Sequence, residues 1–252
     1  MSVEIIKRLR RHYDAAVEHY GENAVLGVFL YGSQNYNTNT KDSDVDTKCI
    51  LVPNLYHLAC KPYEIKHLNV EGEVCECMTI QHMVANWKKQ NINFVEIMFT
   101  PYCIINDLYV NEWFEFIGPM REKIARYDIK KAIISMGYQA LHTYQQDPTD
   151  FKKQMNTIRI YRSLRKLVDN EPSYWNIIHF SDEEGAELRD IRINGASPIL
   201  LLHALGEIRK LIETADCISA MSCHQSNKAI IDGELESFIL NLIKLLCVAE
   251  EG

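Results

Sequence analysis

Hydrophobic spacing divides the 252-residue chain into two regimes. In the first, residues 3–20 place Ile5, Ile6, Leu9, Tyr13, Ala16 and Val17 on one side at helical intervals, with Gly21 as a stop. "AVLGVFLY" (24–31) is a continuous apolar run of strand length, which predicts a buried strand. "DVDTKCILV" (44–52) reads as a second strand closed by Pro53, and "EGEVCECMTI" (71–80), partly alternating, as a third. A helix near 80–90 follows, and "FVEIMFTP" (94–101) is apolar without a clear period. From 109 onward the period is helical. Segments near 109–126, 128–146, 150–169, 198–216 and 233–249 read as five helices, with Asp147 or Asp150 as a cap for the third. The stretch 170–185 reads as a connecting loop with a short turn. The expectation is an α+β protein: a small mixed sheet flanked by helices over 1–108, then a helical part over 109–252.

The polar loop between the first two strands, "YGSQNYNTNTKDSDVD", carries the chemistry. Alternate side chains of a strand face the same way, so Asp44 and Asp46 project together while Val45 points to the core. Like charges so placed repel, and a bound cation would compensate. Mg²⁺ takes hard oxygen ligands, often one or two carboxylates plus substrate phosphates. Two such ions about 4 Å apart can stabilise both the attacking and leaving oxygens of a phosphoryl displacement. Gly32 permits a sharp turn and a close backbone approach. A helix starting there would offer its free N–H groups to an anion, with the Ser33 hydroxyl as a further donor.

Strand, Gly-Ser, ten polar residues, then Asp-x-Asp on a second strand: this order resembles the polymerase-β-type nucleotidyltransferase superfamily. The wording is most similar to its stand-alone branch, which includes RNA-ligase-associated and phage-encoded members. Ser33, Tyr36, Asp42, Ser43, Asp44 and Asp46 fit that branch's pattern. Gln34 stands where a basic residue is common, and Asn37 where glycine is common. The resemblance implies that Asp44 and Asp46 hold Mg²⁺, with Mn²⁺ as a substitute, and that Gly32, Ser33 and Gln34 meet a nucleoside triphosphate. It also implies a third acid from a neighbouring strand. Glu71, Glu73 and Glu76 are the candidates, and the position of "NINFVEIMF" favours Glu76. Glu96, an acid in an apolar run, reads as a buried hydrogen-bonding residue instead.

The strongest basic stripe is "KKQMNTIRIYRSLRK" (152–166), where Arg159, Arg162 and Lys166 share one helical face and Lys152, Asn156 and Arg159 another. By the resemblance, Lys153 or Arg159 meets the triphosphate. The implied reaction transfers a nucleoside monophosphate to an acceptor hydroxyl. The acceptor is RNA, such as a tRNA end, or a protein that becomes nucleotidylated. A catalytically silent nucleotide-binding module is the rival class.

Composition narrows the partners. The chain is 47% hydrophobic and 24% charged, and no apolar run approaches the roughly 20 residues that span a bilayer. The first residues lack a signal-peptide pattern, so the expected location is cytoplasmic. A net charge of −7 argues against a sequence-blind nucleic-acid coat. The eight cysteines form no regular framework and are expected as thiols. Neither Cys75, Cys77 and His82 nor Cys217, Cys223 and His224 has the paired spacing of a zinc site.

Overall fold

The computed structural model describes residues 2–41, 43–221 and 227–251. Asp42, Cys223 and His224 lie outside the described residues. Five strands form one mixed sheet: β1 Val25–Leu30, β2 Thr47–Leu51, β3 Leu68–Val70, β4 Glu73–Thr79 and β5 Cys103–Ile105, in the order β3-β4-β2-β1-β5. β2 runs parallel to β4, and the other neighbours are antiparallel. Helices of the first part are α1 Ser2–Tyr20, α2 Ser33–Tyr36, α3 Leu55–Ala59, α4 Ile80–Lys88 and α5 Ile92–Val95. The helical region follows as α6 Val110–Ala125, α7 Ile129–Gln146, α8 Phe151–Val168, α9 Tyr174–Ile178, α10 Asp182–Asn194, α11 Pro198–Glu213, α12 Ala215–Met221 and α13 Lys228–Glu251. The expected α+β architecture is present.

Strand alternation decides what each face carries. Val28, Leu30, Val45, Cys49, Cys75 and Cys77 pack with Ile5, Leu9, Tyr13 and Ala16 of α1. Residues of the opposite parity, among them Phe29, Ile50 and Met78, join a second cluster that runs on through α4 and α6–α8 into α11 and α13. The helical region thus closes over the second face of the sheet, in one continuous core with it.

Several elements differ from the expectation. β3 and β5 are three residues each, too short for an alternating pattern to register. The ambiguous run 94–101 folds as short helical turns, because Asn91 caps the Asn93 N–H and the chain must turn before β5. Residues 182–194 form α10, so its first turn, 182–185, falls in the stretch expected as a connecting loop, and 186–194 lie outside every expected element. Its signal is Ser181-x-x-Glu184, a capping box in which the Ser181 hydroxyl accepts from Glu184 N–H at 3.2 Å and the Glu184 carboxylate accepts from Ser181 N–H at 3.1 Å. Asp150, not Asp147, caps α8, accepting from the N–H groups of Lys152 and Lys153.

Candidate functional site

β1 ends at Tyr31–Gly32, and the chain turns there with Gly32 at φ 87°, a left-handed conformation that suits glycine. A Cβ at Gly32 would lie 3.3 Å from Asp46 Oδ2, so the glycine also makes room for that carboxylate. Asp46 and Asp44 precede the first ladder residue of β2, yet the extended run continues back through them. Tyr31 N–H donates to the Asp46 carbonyl at 3.1 Å, and Val45 is fully buried on the α1 face. Asp44 and Asp46 therefore share the other face, as the alternation predicts. Asp44 is exposed and Asp46 partly so. Burial, and after it the Asp44 charge, raises the Asp46 carboxyl above its ordinary range; Glu76 adds to this, while Lys152 and Lys48 oppose it.

Parity also separates the three candidate glutamates. Glu71 pairs with Arg11, and Glu73 with Arg8 and the Val45 N–H, both towards α1. Glu76, aligned with Lys48 across the β2–β4 ladder, sits on the face of Asp46. Its carboxylate is already engaged. Lys48 Nζ donates to it, and the Tyr31 hydroxyl donates at 2.8 Å. The Lys48 ammonium is buried, 3.8 Å from the centroid of the Tyr31 ring and 4.4 Å from that of Phe94. Burial would raise the Glu76 carboxyl, but the Lys48 hydrogen bond and charge outweigh it and hold the group below its usual range. Glu76 is near the aspartates but neutralised by its own lysine. Among the described residues, no group of three or more His, Cys, Asp or Glu is arranged to hold a metal ion.

Glu96 holds the loop from beneath. It is fully buried and accepts from Gly32 N–H at 3.1 Å, from Asn35 Nδ2 at 3.1 Å and from the Tyr36 hydroxyl. Burial pushes its carboxyl up to about 7, against the pull of these bonds and of Arg159. This is the structural role its apolar setting predicts. It also corrects the expectation of an anion site at the turn: α2 has four residues, and the Gly32 N–H is spent on Glu96.

Helices α7, α8 and α10 supply the opposite wall. A cavity of about 240 Å³ lies between them and the loop, lined by Gly32, Ser33, Asp44 and Asp46 on one side and by Lys152, Asn156, Arg159 and Arg192 on the other. Arg159 is 96% buried (4% exposed), with its guanidinium carbon 4.0 Å from the centroid of the Tyr36 ring. Its Nε and Nη1 are buried without a hydrogen-bond partner. A buried guanidinium so placed costs free energy unless an anion completes it.

Comparison with protein-family models and with curated proteins gives no match.

The sites expected from sequence are thus only partly brought together. Gly32, Ser33, Asp44, Asp46 and Arg159 line the cavity; Gln34, Glu76 and Lys153 do not. Lys152 replaces Lys153, because the i, i+4, i+7 face of α8 that turns inward is 152–156–159. Arg162 and Lys166 are bound to Glu187 and Glu184 of α10. Cys75 and Cys77 face α1, while His82 is exposed on α4.

Sequence reasoning missed the fastening of the loop by α10. Arg189 Nη1 donates to the Asn37 carbonyl at 2.6 Å, and Arg192 Nη1 to Ser43 Oγ at 3.3 Å. Asn37 Nδ2 in turn donates to Asp182 Oδ1 at 3.0 Å and to the Phe180 carbonyl at 3.2 Å. Asn37 itself is left-handed at φ 61°, a conformation asparagine tolerates where the resembled branch has glycine.

Proposed function

We propose that this protein is a metal-dependent nucleotidyltransferase of the polymerase-β type, transferring a nucleoside monophosphate from a triphosphate to an acceptor hydroxyl. The observation that carries the reading is the charge layout of one cavity. Two adjacent carboxylates, Asp44 and Asp46, face an unpaired buried guanidinium, Arg159, across a Gly-Ser turn. A polyphosphate with a divalent cation satisfies both walls together.

The donor set fits Mg²⁺. Asp44 and Asp46 offer hard oxygens, and substrate phosphates complete such a site. When bound, the ion supplies charge neutralisation on the phosphoryl oxygens. The remaining work belongs to the chain. Arg159 offers charge-assisted donors to phosphate oxygens, and Lys152 and Arg192 add positive charge at the same cavity. Ser33 adds a hydroxyl. Glu96 and α10 keep the loop in place, so these groups are positioned before the ligand arrives. In the reaction, the acceptor oxygen bonds to the α-phosphorus, the bond to the β-phosphate bridging oxygen breaks, pyrophosphate leaves with that electron pair, and the acceptor proton passes to solvent.

One observation favours a second reading. Glu76, the expected third acid, is held by Lys48, which leaves two free carboxylates, a set that suits a nucleotide-binding module without transfer. Incubation with each α-³²P-labelled ribonucleoside triphosphate, Mg²⁺ and a mixed pool of RNA and protein decides between them. Label transferred to RNA or to protein supports the enzyme and names its acceptor class. Triphosphate binding with no labelled product supports the module, and neither binding nor transfer defeats both.

A further inference from the structure

The cavity is smaller than the ligand proposed for it. Its volume of about 240 Å³ lies below the roughly 300–1,000 Å³ of sites that enclose a drug-sized molecule. Lys152, Arg159 and Arg192 in its lining suit phosphates. The sugar and base of a nucleotide must then extend past a wall. Gln139 of α7 is a wall with two sides. It also lines a more open groove of about 530 Å³, together with Tyr138, Leu141, His142 and Gln145.

The two concavities differ in chemistry. Gln139 and Thr143, four residues apart, line the cavity from α7. Tyr138, His142 and Gln145 form the neighbouring stripe, at i, i+4 and i+7, and line the groove. Among the described residues, no lysine, arginine, aspartate or glutamate lines the groove, so none of them draws phosphate there. Tyr138 is 59% exposed, so its ring face is open to a ligand in the groove. His142 beside it is exposed, its Nδ1 lying 3.5 Å from Gln146 Nε2. Flat rings with side-chain amides alongside match a flat, uncharged heterocycle with hydrogen-bonding edges. Stacking on aromatic rings binds any base, because each has a π-face, and glutamine amides can donate or accept.

We propose that the Tyr138–His142 face of α7 is the nucleobase subsite: the base of the nucleotide whose phosphates occupy the cavity stacks there, with Gln139 at the junction. This rests on the nucleotide reading above and adds to it the path of the ligand. Base choice at such a site is broad, with purines favoured for their larger stacking area.

The test is calorimetric titration, with Mg²⁺ present, of ATP and of inorganic tripolyphosphate into the wild-type protein, Tyr138→Ala/His142→Ala and Tyr138→Phe. The double variant should bind ATP roughly 10- to 100-fold more weakly, the range of one lost base stack. Its tripolyphosphate affinity should stay within about twofold, and Tyr138→Phe should retain ATP affinity. Unchanged ATP affinity in the double variant overturns the proposal and leaves the groove to the acceptor. An equal loss for both ligands overturns it as a general disturbance. If the wild-type protein binds neither ligand, the nucleotide reading itself fails first; tripolyphosphate binding without any gain from the nucleoside of ATP defeats the subsite alone.

Discussion

The two walls of the cavity are each unfavourable alone, in opposite senses. The acid wall sets Asp44 beside Asp46 with Glu76 nearby, outside the lining, and it is relieved from within by Lys48, which neutralises Glu76. The basic wall carries Arg159, relieved from within by the Tyr36 ring and the nearby Glu96. Internal relief stops short on both sides: Asp46 stays raised, and two Arg159 nitrogens stay unpaired. Structural pairs are normally completed by the fold, so leftover charge of both signs around one cavity is what a ligand of mixed charge would complete. The residues that are internally satisfied and those that are not therefore separate the scaffold from the candidate binding surface.

The sharpest way to break this comparison is to remove the leftover acid. Asp44→Asn with Asp46→Asn should lower transfer by at least about 10³-fold, the scale of losing a preorganised electrostatic contact in an active site. Thermal unfolding in the absence of metal should stay the same or rise, since two like charges are gone. Stabilisation of the wild-type protein by Mg²⁺ with ATP should vanish in the variant. Retained transfer, or retained stabilisation, would assign those acids to the scaffold.

Glu96 tests the scaffold side through pH. In the fold its carboxyl titrates near 7, against 4.5 in the unfolded chain. The folded state therefore holds the proton over that interval. Its contribution to stability is full below about 4.5 and is lost as pH rises through 7. The difference of about 2.5 units (about 7 less 4.5) corresponds to about 3 kcal/mol. Glu96→Gln keeps a carbonyl oxygen for Gly32 and Asn35 but cannot ionise. Urea unfolding at pH 5 and at pH 8 should move in favour of the variant by about 2.5 kcal/mol between the two. A gap between variant and wild type that does not change with pH would sink this account.

The acid wall was legible in the sequence because the sixteen consecutive residues 31–46 carry its two aspartates and a period of two fixes which side chains share a face. The same parity puts Cys75 and Cys77 against α1 and Glu76 towards the site. It could not show that Lys48 lies across from Glu76, since the β2–β4 register joins residues 28 apart through a parallel crossover. The basic wall was legible as a stripe on α8, without which edge turned inward, so Lys153 was taken for Lys152. Arg192, Gln139 and Thr143 belong to helices whose placement depends on packing of the whole helical region. Spacing along the chain shows that a helix has faces, not what each face meets.

Lys48 sharpens the acid wall from the other direction. Lys48→Met keeps the buried stem between Tyr31 and Phe94 but leaves the Glu76 charge unpaired. Breaking a fully buried pair costs about 3–5 kcal/mol; the Glu76 side chain keeps 32% of its surface in solvent, so about 2–3 kcal/mol is expected. Adding Glu76→Gln should restore most of that loss. Equal destabilisation in the single and double variants, read by chemical denaturation, would show that lysine packing and not charge pairing holds β2 to β4 here.

The smallest effect concerns how α10 fastens the loop. Gly185 lies near the start of α10, and a Cβ there would sit 2.4 Å from the Asn37 carbonyl oxygen, a backbone atom that cannot swing away. Helix propensity alone would reward Gly185→Ala by up to about 1 kcal/mol. The clash should win, because overpacking against fixed backbone costs about 1–3 kcal/mol, leaving a net loss of up to about 2 kcal/mol. Gly206 of α11 is the control, since a Cβ there meets nothing within 4 Å and Gly206→Ala should stabilise by about 0.5–1 kcal/mol. The Gly185 variant should also raise KM for the triphosphate, because Asn37 and Ser43 are held to α10 through Arg189 and Arg192 and the cavity opens between them. Two variants that respond alike in stability and in KM would mean that the contact of α10 with the loop contributes nothing to the shape of the site.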